Sequence, residues 1–358
     1  MIKIIWRPFF WIVLLTCLCR PSLSAEAVKT LWAVSSFGSS DFFHQPSDLE
    51  VDPGQSLIYI VDAGSHRILA FDFHGKFLKA IGNKGQGPGE FVRPTGLCLL
   101  KDSGLAVADF GNNRIQIFEK SGKFVRAILL TAAKVADLVS AEGKFYTVSS
   151  FGFSGYSLNM GSEEKTQPLV TVLDDQGLKV QEISVALYPE SQPFVRAIKS
   201  RVCLALSPEG LLYLPHFAMN IVHVFDLSGK KLGEFARPLP FKPITPRLEE
   251  IKSPEKGIVQ MQSSLDIVSV AARFGPDGNL YILTRTESLA DRMKKKVDAS
   301  ELPPDPMRLD VIAPKSNTVI RTIACDPGIK AFGVMDKTRL VYVHEDNEGE
   351  LVLKCVQY

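Results

Sequence analysis

From residue 47 onward the chain sets short apolar runs against polar breaks at a spacing that repeats. Ile58 to Ile81 reads IYIVDAGSHRILAFDFHGKFLKAI and Leu105 to Ile128 reads LAVADFGNNRIQIFEKSGKFVRAI, aligned at an offset of 47 without a gap, with ten of 24 positions identical. Each copy holds three alternating or β-branched runs parted by glycine-containing turns, and one further run ending in a tight turn precedes each, Ser47–Gln55 and Gly96–Gly104. Period-two alternation bounded by turn residues predicts strands, and self-similarity at a fixed offset predicts a repeat architecture. Each unit is therefore an antiparallel sheet of four strands, A to D.

The unit recurs more faintly along the rest of the chain. The strand B position held by Tyr59 has counterparts at Ala106, Tyr146, Tyr213, Tyr281 and Tyr342, which makes six repeats. The strand C runs are HRILAFD, NRIQIFE, LVTVLD, NIVHVFD, RLDVIA and LVLKCV, and the D runs are KFLKAI, KFVRAI, LKVQEI, KKLGEF and TVIRTI. The sixth repeat ends at Tyr358 without a strand D, and Val28 to Ser35, VKTLWAVS, has the length and apolar spacing to supply it. A ring closed in this way leaves only short, protected edges. The predicted fold is all-β, a six-bladed β-propeller over residues 28–358, closed by an N-terminal strand that completes the last blade.

GQGPGEFVRPTGL at 85–97 and VADFGNNRIQIFEKSGKF at 107–124 resemble the NHL repeat family of secreted bacterial type. The resemblance is strong in blades 1 and 2 and fainter elsewhere, and it implies six-bladed propellers without specifying an activity.

The strand B anchors lie 47, 40, 67, 68 and 61 residues apart, so some repeats carry long excursions. These fall at 150–168, 185–200, 237–267 and 285–308, in B-to-C or D-to-A connections that open on one face of a propeller. Loops of this length in a compact domain are commonly functional, which places the binding face there. Ligand-contact candidates on it are Phe151, Phe153 and Tyr156, where rings give contact area at low entropic cost, together with His216, Arg285 and His344. Other aromatics near that face, Phe37, Phe42, Phe43, Phe110 and Phe217, fit packing between blades equally well. Arg292 to Lys296, RMKKK, reads as a solvated loop or short helix, with an acidic partner as its functional alternative.

Asp62 with Arg67 and Asp109 with Arg114 occupy matching positions beside a B-to-C loop. In blade 4 both partners change together, to His216 and Ile221, which marks the pairs as structural carboxylate–guanidinium contacts. Imidazoles gathered around a central opening can hold a divalent metal that activates water, as in propeller lyases and lactonases, and His216 and His344 are the candidates for such a site. His44 and His66 map to the same face, but no HxH or HxxxH spacing supports a metal, so no catalytic residue and no cofactor are assigned. The glycine-rich GNKGQGPGE at 82–90 joins a strand D to a strand A and precedes no helix, so it reads as a blade connector rather than a phosphate cradle.

Composition narrows the partners. Lys3 and Arg7 precede an apolar run from Phe9 to Cys19, and small residues follow through Ala27, the order of a secretory signal over residues 1–27 with cleavage after Ala25 or Ala27. An apolar run this short gives no stable membrane span. Removing residues 1–25 takes Lys3, Arg7 and Arg20 and no acid, leaving 38 basic against 39 acidic side chains. No field of one sign points at nucleic acid. The sequence thus predicts a secreted or periplasmic binding module for a protein, peptide or glycan, a monomer or a subunit of an envelope complex. The alternative is a metal-dependent lyase or hydrolase at the channel mouth. Cys98, Cys203, Cys325 and Cys355 map to positions too far apart to pair and are expected to be reduced.

Overall fold

A computed structural model describes residues 25–358 apart from 102–103, 132–133, 150–165, 187–192, 245, 253–258 and 295–303. Six four-stranded antiparallel sheets form the blades of a propeller. Blade 1 runs Pro46–Asp52, Leu57–Asp62, Arg67–Asp72 and Phe77–Ile81, and blade 2 repeats it with Gly96–Leu99, Gly104–Asp109, Arg114–Glu119 and Phe124–Leu129. The inner strands A of blades 3 to 6 are Asp137–Ala141, Ala205–Leu206, Ser269–Phe274 and Ile329–Val334. Strand B is the most apolar of each blade because neighbours cover both its faces: Ile58, Tyr59, Ile60 and Val61 are all fully buried. The outer strands D are half exposed and carry Lys79, Arg126, Lys179, Lys231 and Arg321, charges that discourage pairing with a further chain.

The apolar core is divided among the junctions between blades. Tyr59 and Val61 of blade 1 pack on Leu97 and Leu105 of blade 2, Tyr146 of blade 3 on Leu204 and Leu212 of blade 4, and Tyr281 of blade 5 on Tyr342 of blade 6. Burying one such ring stabilises by about 1.5–3 kcal/mol, so each junction is a small core of its own.

Closure uses the first strand of the described residues. Lys29–Val34 lies antiparallel to Leu351–Gln357, with Lys29 opposite Gln357 and Val34 opposite Leu353, and completes blade 6 in the order D, C, B, A. Its Trp32 reaches the next blade: the indole Nε1 donates to the Phe73 carbonyl at 3.1 Å. The ring lies on Gly75, whose φ is +81° and where a Cβ would come within 2.7 Å of Trp32 Cε3. A side chain there is both strained and obstructed.

The same device recurs around the ring. From strand D of blade 1, Lys79 donates to the Lys120 and Ser121 carbonyls in the C-to-D turn of blade 2. Arg126 of blade 2 donates to Asp175 of blade 3 at 2.7 Å, and Gln181 of blade 3 to Ser228 of blade 4 at 2.5 Å. The outer strands of blades 6, 1, 2 and 3 thereby latch the turn of the blade that follows.

The excursions carry structure that the period-two reading does not anticipate. The 185–200 segment extends strand D of blade 3 to Ala186 and holds a helix α1, Pro193–Lys199. Residues 237–267 include a hairpin, Arg247–Lys252 paired with Val259–Ser264. Helix α2, Leu289–Lys294, lies in the 285–308 segment, started by Ser288, whose Oγ accepts the Asp291 N–H at 3.0 Å. Among the described residues no helix is long and apolar enough to cross a membrane.

Candidate functional site: the channel mouth

Strands A surround the channel, and their first residues meet the B-to-C loops on the face that bears the excursions. The loops there are held by buried carboxylates. Asp62 Oδ1 accepts the backbone N–H groups of His44 and Gln45, both at 2.9 Å, while Arg67 Nε donates to its other oxygen at 3.2 Å. In blade 2, Asp109 accepts the Val92 N–H at 2.8 Å and the Arg114 Nε–H at 2.8 Å. Arg114 spends its remaining donors on the carbonyls of Gln86, Gly87 and Glu90. The pairs therefore fix the connection entering each blade as well as the B-to-C loop, and the glycine-rich 82–90 segment is gripped by a guanidinium.

His216 holds the same place in blade 4. It is fully buried, and its Nδ1 lies 2.6 Å from the Lys199 carbonyl of the incoming connection. Burial, with His223 beside it, pulls its pKa down to about 4, and the two rings stand 4.9 Å apart. His344 lies in blade 6, its Nε2 3.6 Å from Asp326, and burial lowers its pKa. The two imidazoles thus have separate surroundings. Among the described residues no three His, Cys, Asp or Glu side chains gather in a metal-binding group. His66 accepts the Arg93 N–H at Nδ1, 2.8 Å, tying blade 1 to the connection into blade 2. Phe37 and Phe43 belong to the core between blades 6 and 1. Phe217 stacks under the Arg201 guanidinium at 4.0 Å. Phe151, Phe153 and Tyr156 lie outside the described residues.

A cavity of about 840 Å³ opens at the channel mouth. Blade 1 contributes His44 to Ser47, the connection into blade 2 gives Arg93 and Thr95, blade 5 gives Val270, Arg285, Arg292, Asp305 and Met307, and blade 6 gives Ile329, Lys330, Glu345 and Leu351. Of the candidates named from sequence, Arg285 lies in its wall. Both Arg285 and Arg292 bond to the single carboxylate of Asp305. Arg292 is only 7% exposed, which corrects its reading as part of a solvated basic run: Asp305, across the excursion, draws it inward. Lys330 Nζ bonds Glu345 at 2.5 Å. Four basic side chains face two carboxylates in this wall.

Beneath the mouth, sharing Ser47, Thr95, Val270 and Lys330 with it, a narrower space of about 240 Å³ descends among the inner strands. Arg273 of blade 5 stands in it. Its guanidinium bonds Asp48, its Nε lies 3.3 Å from Glu50, and its Nη1 lies 4.0 Å from Asp137. Burial raises the Glu50 pKa to about 8 although Arg273 opposes the rise, and burial likewise raises that of Asp137. Sequence reasoning passed over this cluster. The signal available was a charged residue on a short inner strand, Asp48-Leu49-Glu50 and Ala272-Arg273. Another missed contact is Arg237, buried between Thr284 at 2.6 Å and Asp310 at 3.1 Å, where the connection into blade 5 supplies the cation.

Cys98, Cys203, Cys325 and Cys355 are free thiols in the structure. No curated protein matches the chain. The crystal structure of a member of the DUF4221 family from Bacteroides vulgatus superimposes with a TM-score of 0.61 over 92% of this chain and 97% of that one, at 10% identity. At that identity the likeness speaks for the fold alone. The family model described as DUF5128, 6-bladed β-propeller, matches residues 43–269, more than half of the sequence, and the chain belongs to that family.

Proposed function

We propose that the protein is a secreted or periplasmic binding module, an NHL-type propeller that engages a protein, peptide or glycan through the face bearing the channel mouth. One observation carries the reading: a cavity of about 840 Å³ lies where the connections of blades 1, 2, 5 and 6 converge. Concave sites with apolar walls and a few placed polar groups are the usual form of a ligand pocket, and in scaffolds of this kind the connections rather than the strands carry specificity. The wall offers half-buried Val270 and Leu351 as apolar surface beside its charged groups, backed by buried Met307 and Ile329. The signal-like order of residues 1–27 supports the compartment, and the NHL-like runs of blades 1 and 2 support the NHL-type reading.

The test is partner capture from an envelope fraction by the mature protein, set against Ser47→Trp, which fills the cavity from an exposed position. A specific partner lost on Ser47→Trp with an unchanged Tm supports the reading. Equal capture by both proteins would sink it.

A further inference from the structure

The wall of the mouth is built with more cationic than anionic groups, and two of its guanidiniums, half-buried Arg285 and buried Arg292, share one carboxylate. Arg285, on the last residue of strand B in blade 5, and Arg292, in α2, both bond Asp305. A guanidinium offers five N–H donors in a planar fork that matches a carboxylate. The buried Nε–H of Arg285 has no acceptor within hydrogen-bond reach. Lys330 adds an ammonium that is 38% exposed and met by one carboxylate, Glu345. Arg93 faces the same space.

Resting on the reading of this face as a binding face, we propose that the ligand is an acidic peptide whose carboxylates are held in the mouth by Arg285 and Lys330, with Asp305 as the internal group against which they compete. Charge complementarity supplies the sign of the ligand, since a cationic wall steers and selects anions. Peptide is favoured over acidic glycan by the walls. Sugar rings are commonly met by stacked aromatic side chains, and none of the described residues lining the cavity is Phe, Tyr or Trp, whereas half-buried Val270 and Leu351 offer the aliphatic surface that suits a peptide.

The experiment uses the mature protein and a rhodamine-labelled peptide of alternating glutamate and alanine, compared by fluorescence anisotropy with its glutamine–alanine twin and with a labelled oligogalacturonate. The acidic peptide is expected to bind about tenfold tighter than its twin, with the gap closing as salt rises. Arg285→Gln and Lys330→Gln should each weaken the acidic peptide about tenfold and leave the neutral one unchanged. Asp305→Asn should tighten it. Lys330, being partly exposed, keeps the test valid if Arg285→Gln lowers the Tm. Equal binding of the two peptides, lost on Ser47→Trp, would overturn the acidic ligand while leaving the binding face intact. Tighter binding of the oligogalacturonate would overturn the peptide in favour of a uronate glycan. Binding of no probe would overturn the proposal, and partner capture with Ser47→Trp then judges the face by itself.

Discussion

Arg273 and Asp48 are joined across the central channel, 225 residues apart in sequence. Arg273 also stands within reach of Glu50 and Asp137, so one guanidinium on blade 5 touches blades 1 and 3. Burial disfavours the charge of Arg273, yet the three carboxylates more than offset it and raise its pKa. The pairing ties alternate blades together at the axis, where the apolar junctions between neighbours do not reach.

Arg273→Ala leaves these carboxylates without their cation. Removing one partner of a buried ion pair destabilises by about 3–5 kcal/mol, and urea unfolding of the variant should show a loss of that order. Adding Glu50→Gln and Asp137→Asn to Arg273→Ala should restore part of it. An unchanged unfolding midpoint for Arg273→Ala would refute the clamp.

Stability should depend on pH through Glu50. Its folded pKa, about 8, lies above the model-peptide value of 4.5, so the native state holds a proton that the unfolded chain releases. The contribution is complete below pH 4.5 and is lost as pH rises through 8, with a slope of at most about 1.4 kcal/mol per pH unit. His216 acts at the other end: its folded pKa, about 4, lies below 6.5, so its contribution is present above 6.5 and is lost as pH falls through 4. Denaturant midpoints measured across this range should fall on the alkaline side, and Glu50→Gln should flatten that limb. A limb equally steep in the variant would assign the slope to other groups.

Trp32→Ala should open the ring at its seam. It removes the bond to Phe73 and the ring that rests on Gly75, a loss of about 2 kcal/mol for a half-buried aromatic. Gly75→Ala strains the same contact from the other side, at about 1–3 kcal/mol. Because the two changes damage one contact, their effects on thermal unfolding should add to less than the sum; full additivity would place them in separate interactions.

The mature chain should begin at Glu26. The Glu26 N–H donates to the Thr322 carbonyl at 2.8 Å and its own carbonyl accepts from Ala324 at 2.9 Å, while its carboxylate lies 3.4 Å from Arg321. Cleavage after Ala25 keeps these bonds to blade 5, and cleavage after Ala27 removes them. N-terminal sequencing of the exported protein decides between the two sites.

The blades were legible because their determinants are local. Alternation, glycine turns and the repeated Tyr59-type anchor lie within a few residues of one another, and the absence of a strand D after Val356 pointed to the segment around Trp32. The charged groups of the axis were not, because nothing near Arg273 in sequence marks Asp48 or Asp137 as its partners; the ring brings them together. Arg237 and Asp310 are hidden for the same reason, 73 residues apart. A short helix was among the readings of the run from Arg292, and α2 starts earlier than that run, where Ser288 with Asp291 three residues on supplied the signal. His216 was noticed as an imidazole replacing Asp109, and its bond to Lys199 gives it a role similar to that of the carboxylate it replaces.

The seam that joins Lys29–Val34 to Leu351–Gln357 also sets an order of events. Lys29–Val34 is made long before its partner Leu351–Gln357, so the ring cannot shut until blade 6 has been synthesised, and long-range pairing of this kind is slow to form. Until Leu351–Gln357 is made, Lys29–Val34 has no strand to pair with, although the seat of Trp32 on Phe73 and Gly75 is already in place. Whatever the order in which the other blades form, the step that shuts the ring is the meeting of these two strands, and it makes the stability of the first blade hostage to the last.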